Sequence, residues 1–93
     1  MRTIKRTNQF KRDYKREKRG RHGKTLDSNI LQAAGYLTTD QNLPLAMHDP
    51  SLSGEWKDCR DCHIKPDLIL IYRKPDSSTL ELLRLGSHSE LGL

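Results

Sequence analysis

The sequence predicts an α+β fold in which a small antiparallel sheet packs against an N-terminal helical hairpin, in the order β-α-α-β-β-β. Apolar residues in the first forty positions recur at helical spacing, whereas those after position 54 alternate or run together as in strands. Proline and other turn-forming residues separate the two halves. We expect one domain over residues 1–93, with the basic strand and helical hairpin in 1–40 and the sheet and C-terminal tail in 54–93.

The N-terminal half is predicted to start with a short strand at residues 2–6, in which Ile4 faces inward. Asn8 is a suitable N-cap for a helix over residues 9–19, which has a thin apolar stripe and a broad cationic face. Glycines end this helix, and Thr25 can cap a second helix that reaches about residue 38. The second helix has an ordinary core-facing stripe. Its members are Leu26, Ile30, Ala33, Ala34 and Leu37.

The C-terminal half is predicted to form three strands after a long loop over residues 42–53. The first strand, Trp56–Ile64, alternates in polarity. The second, Asp67–Lys74, contains Leu-Ile-Leu-Ile-Tyr and is apolar on both faces, which is typical of a central strand. A turn leads to the third strand, Thr79–Leu85, and residues 87–93 are predicted to be a short tail.

Composition excludes several classes of protein. The chain has 93 residues and a mean hydropathy of −0.84, and its longest apolar run is far shorter than the ~18 residues that a membrane-spanning helix needs. The basic N-terminus has no apolar stretch behind it, so it does not resemble a secretory signal. We therefore expect neither a membrane protein, nor a secreted disulfide scaffold, nor a large enzyme with a deep pocket, but a small cytoplasmic domain.

Positive charge is concentrated in the first 24 residues, which hold eleven Lys or Arg and two acids and so carry a net charge of +9. The other 69 residues carry −4, for a total of +5. A basic segment joined to a mildly acidic body indicates a polyanionic partner, for which RNA or DNA is the usual candidate. The alternative is a solvated basic helix with no partner.

The string Cys59-Arg60-Asp61-Cys62-His63 matches the bare Cys-x-x-Cys-His pattern of covalent haem attachment. Haem attachment needs an exported chain, and no export signal is recognisable here. A zinc site needs two more ligands. A redox pair favours a helix N-terminus, whereas the surroundings of these cysteines are strand-like. We favour two small half-buried thiols on opposite faces of a strand, and we expect neither a metal nor another cofactor.

Polar residues on the three C-terminal strands and at their ends can converge, because neighbouring strands lie ~5 Å apart. Convergent His, Asp and Arg beside a basic helix suit RNA cleavage by the 2′-hydroxyl, with acid–base catalysis and neutralisation of phosphate charge. Trp56 and Tyr72 add flat surfaces for base stacking. The alternative is cross-strand ion pairs with surface histidines. The polar candidates are Arg60, Asp61, His63, Asp67, Arg73, Arg84 and His88.

Residues 54–72 read Gly-Glu-Trp-Lys-Asp-Cys-Arg-Asp-Cys-His-Ile-Lys-Pro-Asp-Leu-Ile-Leu-Ile-Tyr. This run resembles the central block of the YafQ branch of RelE-like (RelE/ParE) toxins, the toxin halves of bacterial type II toxin–antitoxin modules. Leu43-Pro44-Leu45 and the ending Arg-Leu-Gly-Ser-His over residues 84–88 resemble the family's flanking motifs. The N-terminal half resembles the family only in layout and basicity.

The resemblance implies a ribosome-dependent mRNA endonuclease that cuts mRNA in the A site, halts translation and is silenced by a cognate antitoxin. Its partners are then the antitoxin, ribosomal RNA and mRNA, with no membrane. By position, His63 and His88 match the acid–base histidines, Asp67 the active-site acid and Asp61 the acid of the Arg-Asp-x-His string. Arg60, Arg73 and Arg84 are phosphate-binding candidates on chemistry alone. The candidates for gripping rRNA are Lys11, Arg12, Lys15, Arg16, Lys18 and Arg19.

The chain departs from the family pattern in the loop before residue 54. The family has Asp-His-x-Leu there, with a catalytic His, and this chain has Asp49-Pro50-Ser51-Leu52. His48 stands two residues before Pro50 and is the candidate substitute. Two alternatives to the active toxin follow: a catalytically weakened toxin-fold protein that binds ribosome or antitoxin without efficient cleavage, or a generic basic RNA-binding domain.

Overall fold

The computed structural model describes residues 1–44, 47 and 59–92 and has the α+β class that the sequence predicts. Three short or medium helices accompany four strands within these residues. The elements are β1 (Thr3–Arg6), α1 (Asn8–Lys18), α2 (Gly23–Thr38), β2 (Arg60–Lys65), β3 (Leu68–Arg73), β4 (Thr79–Gly86) and α3 (His88–Leu91). None of the helices described is both long and apolar enough to cross a membrane.

The sheet has the order β1-β4-β3-β2, and its pairs β2–β3 and β3–β4 are antiparallel as predicted. The expectation of a wholly antiparallel sheet is wrong, because β1 pairs with β4 in parallel. After β1, the Thr7 backbone N–H donates to the Leu82 carbonyl at 3.1 Å and the Thr7 hydroxyl to the Leu83 carbonyl at 2.8 Å. The chain therefore enters α1 while still travelling along β4 in the same direction.

The main core lies between the two long helices and one face of the sheet, where Phe10 and Leu26 pack with residues of every strand except β1. A smaller core on the opposite face contains Cys59, Ile69, Ile71 and Leu91, so α3 covers that side. Strand β3 is buried on both faces, as its unbroken apolar run predicts. Because Cys62 belongs to the main core and Cys59 to the smaller one, the prediction that the two thiols face opposite sides is confirmed. Both thiols are buried rather than half-buried.

Three local expectations for the helices and β1 are corrected. Thr7, not Asn8, caps α1 by accepting from the Phe10 N–H. Helix α2 begins at Gly23 rather than Thr25, since a Cβ on Gly23 would lie 2.1 Å from the Lys18 carbonyl oxygen and only glycine fits this tight turn. Ile4 does not face inward and is 43% exposed.

The C-terminal segment is more ordered than predicted. Residues 88–91 form α3 instead of a tail, because Ser87 and Glu90 make a capping box. Strand β2 runs from Arg60 to Lys65 and leaves out Cys59, while residues 56–58 of the predicted strand lie outside the described residues.

Candidate active site

Two histidines and an aspartate meet where β2 turns into β3 and β4 leads into α3; we call His63, Asp67 and His88 the histidine cluster. The His63 and His88 ring centroids are 5.7 Å apart. His88 Nδ1 lies 3.4 Å from Asp67 Oδ1. The strand register brings these residues together. Ile69 of β3 is paired with His63 of β2 on one side and with Gly86 of β4 on the other, and His88 follows Gly86 by two residues.

The geometry of the histidine cluster suits proton transfer. Asp67 faces Nδ1 of His88, which leaves Nε2 of that ring for a substrate, and the His63 ring stands opposite within reach of the same small group. His63 is half-buried, whereas His88 and Asp67 are exposed, so the site opens to solvent. Two imidazoles on either side of one reacting group can act as a general base and a general acid.

Arg21 is a site residue that the sequence analysis missed. Its Nη2 atom lies 3.5 Å from Asp67 Oδ2, and its side chain is 75% exposed. The α1–α2 turn that carries it ends at Gly23, and this turn brings a cation to the open side of the cluster. The available signal was the string Gly-Arg-His-Gly at residues 20–23, which marks a tight turn with a cation at its tip.

The arginines predicted to bind phosphate do not gather at the histidine cluster. Arg60 and Arg73 lie at the opposite end of the sheet, where Arg60 is paired with Tyr72 and Arg73 forms an ion pair with Glu81. Tyr72 and Arg73 are three and four residues beyond Ile69 along β3, which corresponds to ~10 to 13 Å. The structure therefore separates the predicted site into a cluster at one end and arginines at the other.

Burial does not support two further predictions about site residues. Tyr72 is only 1% exposed and packs in the main core, so it offers no surface for base stacking. Asp61 is 5% exposed, and direct contact between its carboxylate and RNA is therefore not available. The residue types were compatible with RNA recognition, but the strand register points these two side chains into the protein interior.

Arg84 and Arg16 are held by a buried carboxylate instead of facing RNA. Asp13 is fully buried and accepts from Arg84 Nε at 2.8 Å, the Leu85 backbone N–H at 3.0 Å and Arg16 Nη1 at 3.1 Å. Glu90 Oε2 lies 3.1 Å from Arg16 Nε. We call Asp13, Arg16, Arg84 and Glu90 the Asp13 network. It attaches α1 to β4 and α3. The predicted phosphate role of Arg84 is therefore not supported, whereas Arg16 remains 41% exposed although its guanidinium makes these contacts.

Asp13→Asn is expected to lower the free energy of unfolding by about 3 kcal/mol, because it leaves two arginines without their buried counter-ion. Burial alone would raise the pKa of Asp13, but hydrogen bonds from Arg84, the Leu85 N–H and Gln9 outweigh it and lower the pKa. This contribution is therefore complete above the unfolded pKa and is lost as pH falls through the lower folded value.

Urea unfolding of the wild type and Asp13→Asn between pH 7 and pH 2 measures this effect. The difference in unfolding free energy between them should shrink toward the acid end. Asp27→Asn is the control, since Asp27 is exposed and pairs only with the exposed Lys18 among the contacts described. A pH-independent difference for Asp13→Asn would contradict the assignment.

The remaining cations of α1 form an exposed surface, which we call the basic face. Arg12 also binds Gln9, and Lys18 pairs with Asp27 across the helical hairpin. These contacts leave the face broadly cationic and open to a polyanion. The basic face consists of Lys11, Arg12, Lys15, Lys18 and Arg19.

Several residues named in the sequence analysis lie outside the described residues, among them His48, Pro50 and Trp56. Among residues 1–44, 47 and 59–92, no group of three or more His, Cys, Asp or Glu side chains is arranged to hold a metal ion.

Residues 2–92 match the family model described as the bacterial toxin of type II toxin–antitoxin system, YafQ. The chain belongs to the YafQ toxin family. Family membership excludes the hypothesis of a generic RNA-binding domain without a toxin connection.

Curated and solved YafQ relatives cover nearly the whole chain. The mRNA interferase toxin YafQ of Escherichia coli K12 is 37% identical over 92 residues, which are 97% of this chain and 95% of that protein. The crystal structure of YafQ from E. coli BL21(DE3) superposes with a TM-score of 0.81 at 32% identity, covering 98% of each chain. A metal-bound toxin from Helicobacter pylori has a TM-score of 0.81 at 39% identity, covering 98% of this chain and 99% of that one.

Proposed function

We propose that this YafQ toxin is a ribosome-dependent mRNA endonuclease that cuts mRNA in the A site and thereby inhibits translation. The observation that supports this most directly is the histidine cluster, in which two imidazoles and a carboxylate converge at an open end of the sheet. The E. coli relative carries the name mRNA interferase toxin, which is consistent with the same reaction class.

In the proposed reaction, the mRNA's own 2′-hydroxyl is the nucleophile. His88, oriented through Nδ1 by Asp67, takes the 2′ proton, and His63 donates a proton to the departing 5′ oxygen. The bond from the 2′ oxygen to phosphorus forms as the bond to the 5′ oxygen breaks, giving a cyclic phosphate and a 5′-hydroxyl. Arg21, next to Asp67, can offset the charge on the five-coordinate phosphate.

The proposed partners are the ribosome with its mRNA and a cognate antitoxin. The E. coli YafQ toxin has been solved as a DinJ–YafQ toxin–antitoxin complex, whose toxin superposes on this chain with a TM-score of 0.79 at 33% identity. A ribosomal substrate places the action of this chain in the cytoplasm.

Incubation with translating ribosomes, followed by primer extension of the mRNA, tests the proposed function. Cuts at the A-site codon are expected, with no cuts in the same mRNA without ribosomes. Ribosome binding without cuts would instead support the second candidate, a catalytically weakened toxin-fold protein, which the proline at position 50 favours. A result with no ribosome binding and no cuts would contradict both candidate functions.

We also propose that the cleavage needs no metal, because two imidazoles can supply both proton transfers. The H. pylori relative was solved with metal bound, so this point needs its own test. The toxin alone is treated with EDTA, and free Mg²⁺ is then added back to keep the ribosomes intact. The cleavage rate is expected to be the same as for untreated toxin. Loss of activity in the chelated toxin would contradict metal independence.

Lys11→Gln combined with Lys15→Gln is expected to weaken ribosome binding and to reduce the slope of log affinity against log salt by about 1.4 to 1.8. Both side chains lie on the basic face and are exposed, so the fold should not change. Lys5→Gln with Lys24→Gln is the control, because it removes the same charge from exposed positions outside α1. Equal slopes for the two double variants would show that net charge, rather than the basic face, drives binding.

A further inference from the structure

We propose that Arg16 is a positioning residue for His88, which it holds in the histidine cluster by fixing the short helix α3 to β4. This inference rests on the proposed function, because it concerns how the same site is assembled. It also assigns Arg16 a role different from the rRNA contact that the basicity of α1 predicts.

The Arg16 guanidinium lies between α1, the end of β4 and α3. Its Nη2 atom donates to the Leu85 carbonyl at 2.8 Å. Its Nε atom donates to Glu17 Oε2 at 3.0 Å and also forms an ion pair with Glu90 Oε2 at 3.1 Å. Nη1 is anchored on the buried Asp13 at 3.1 Å. One planar group therefore contacts a buried anion, a strand carbonyl and the helix that begins with His88.

Glu90 links Arg16 to Ser87, the residue before His88. Its Oε1 atom accepts from the Ser87 backbone N–H at 2.9 Å, while the Ser87 hydroxyl accepts from the Glu90 N–H at 3.2 Å. The Ser87 N–H, with a smaller contribution from the charge of Arg16, lowers the pKa of Glu90. Glu90 is therefore an anion at neutral pH and can bind both groups at once.

Helix α3 needs this external support because it has only four residues. An isolated helix of that length does not form in water. The space for the guanidinium depends on Gly86, where a Cβ would lie 2.9 Å from Arg16 Nη2 and 3.2 Å from Glu90 Oε1. The glycine in the ending Arg-Leu-Gly-Ser-His thus has a physical reason: it admits Arg16 beside the helix that carries His88.

Arg16→Gln tests the proposal, because it removes the charge and the fork of donors while Asp13 keeps its bonds to Arg84, Leu85 and Gln9. We expect a fall of roughly 10-fold in kcat for cleavage of ribosome-bound mRNA, since misplacing a proton-transfer group slows the chemical step. Lys24→Gln is the control for losing one exposed charge. A rise in KM with unchanged kcat, equal in both variants, would overturn the proposal.

Two further variants locate the effect. Glu90→Gln weakens the ion pair and should reproduce the fall in kcat, and Arg16→Lys should rescue part of the activity by keeping the charge. In a His88→Ala background, Arg16→Gln should cause no additional loss, because its effect passes through that imidazole. Full additivity of the two changes would show that Arg16 acts elsewhere.

A measurement on the free protein separates this inference from the proposed function. Arg16→Gln should speed hydrogen exchange of the Leu91 and Gly92 amides, which donate the hydrogen bonds at the end of α3. It should also weaken the nuclear Overhauser effect between the ring protons of His63 and His88. Unchanged exchange and ring contact would overturn the inference whether or not the protein cuts mRNA. If the wild type does not cut mRNA, but Arg16→Gln still changes the exchange rates and the ring contact, only the proposed function would be contradicted.

Discussion

Replacing His63 or His88 with alanine is expected to slow cleavage of ribosome-bound mRNA by roughly 100-fold or more, the usual scale for losing a general acid or base. Alanine cannot exchange a proton, and neither substitution removes a core residue, because His88 is exposed and His63 is only half-buried. The measurement is the first-order rate at which primer-extension products of A-site cleavage accumulate at saturating toxin.

The two alanine variants should keep their affinity for the ribosome, because the basic face is unchanged. Asp76→Ala is a control for a surface change, since Asp76 lies in the β3–β4 turn and bonds within that turn to Ser78. The double variant should be only slightly slower than the slower single variant, because two groups that act in one step are not additive. Cleavage within threefold of wild type in either single variant would remove that histidine from the mechanism.

Pro50→His is expected to raise ribosome-dependent cleavage by roughly 10² to 10⁴, the range for adding a proton-transfer group to an otherwise formed site. The family carries a catalytic histidine at this position, whereas proline has no proton to exchange and fixes its own backbone φ near −65°. The gene for the variant should also be harder to maintain without an antitoxin. Initial cleavage rates of the variant and wild type, measured on the same ribosomes, test this.

His48→Ala decides between two interpretations of the loop that contains Pro50. If His48 already supplies the missing imidazole, Pro50→His changes little and His48→Ala destroys activity. If it does not, Pro50→His is faster and His48→Ala is neutral. Unchanged rates in both variants would show that this loop does not take part in catalysis.

The elements with a clear hydrophobic period were predictable from the sequence. The five-residue apolar run of β3 predicts a strand buried on both faces, and the stripe of α2 predicts its core contacts, including Leu26 and Leu37. The resemblance in residues 54–72 and 84–88 named the three residues of the histidine cluster by position. The structure brings those three residues together, and their catalytic role remains a prediction.

The sequence could not show which polar residues turn away from solvent, because that depends on register and on contacts between distant segments. A bulge between Ile71 and Tyr72 changes the pairing of β3 with β4, and Tyr72 lies in the core. Asp13 looked like one of two acids in a basic helix, yet its partners are Arg84 and Leu85, 71 and 72 residues away. Periodicity carries no information about pairs at that distance.

The parallel pairing of the first strand with the last has a consequence for how the chain folds during synthesis. Thr7 and Leu83, which join the two ends, are 76 residues apart, and contacts of such separation make folding slow because a long loop must close before they form. Among the strands that the structure describes, β1 pairs with β4 alone, and the histidine cluster also needs His88, which follows β4. A nascent chain therefore holds neither the four-stranded sheet nor the histidine cluster until β4 and α3 have been translated.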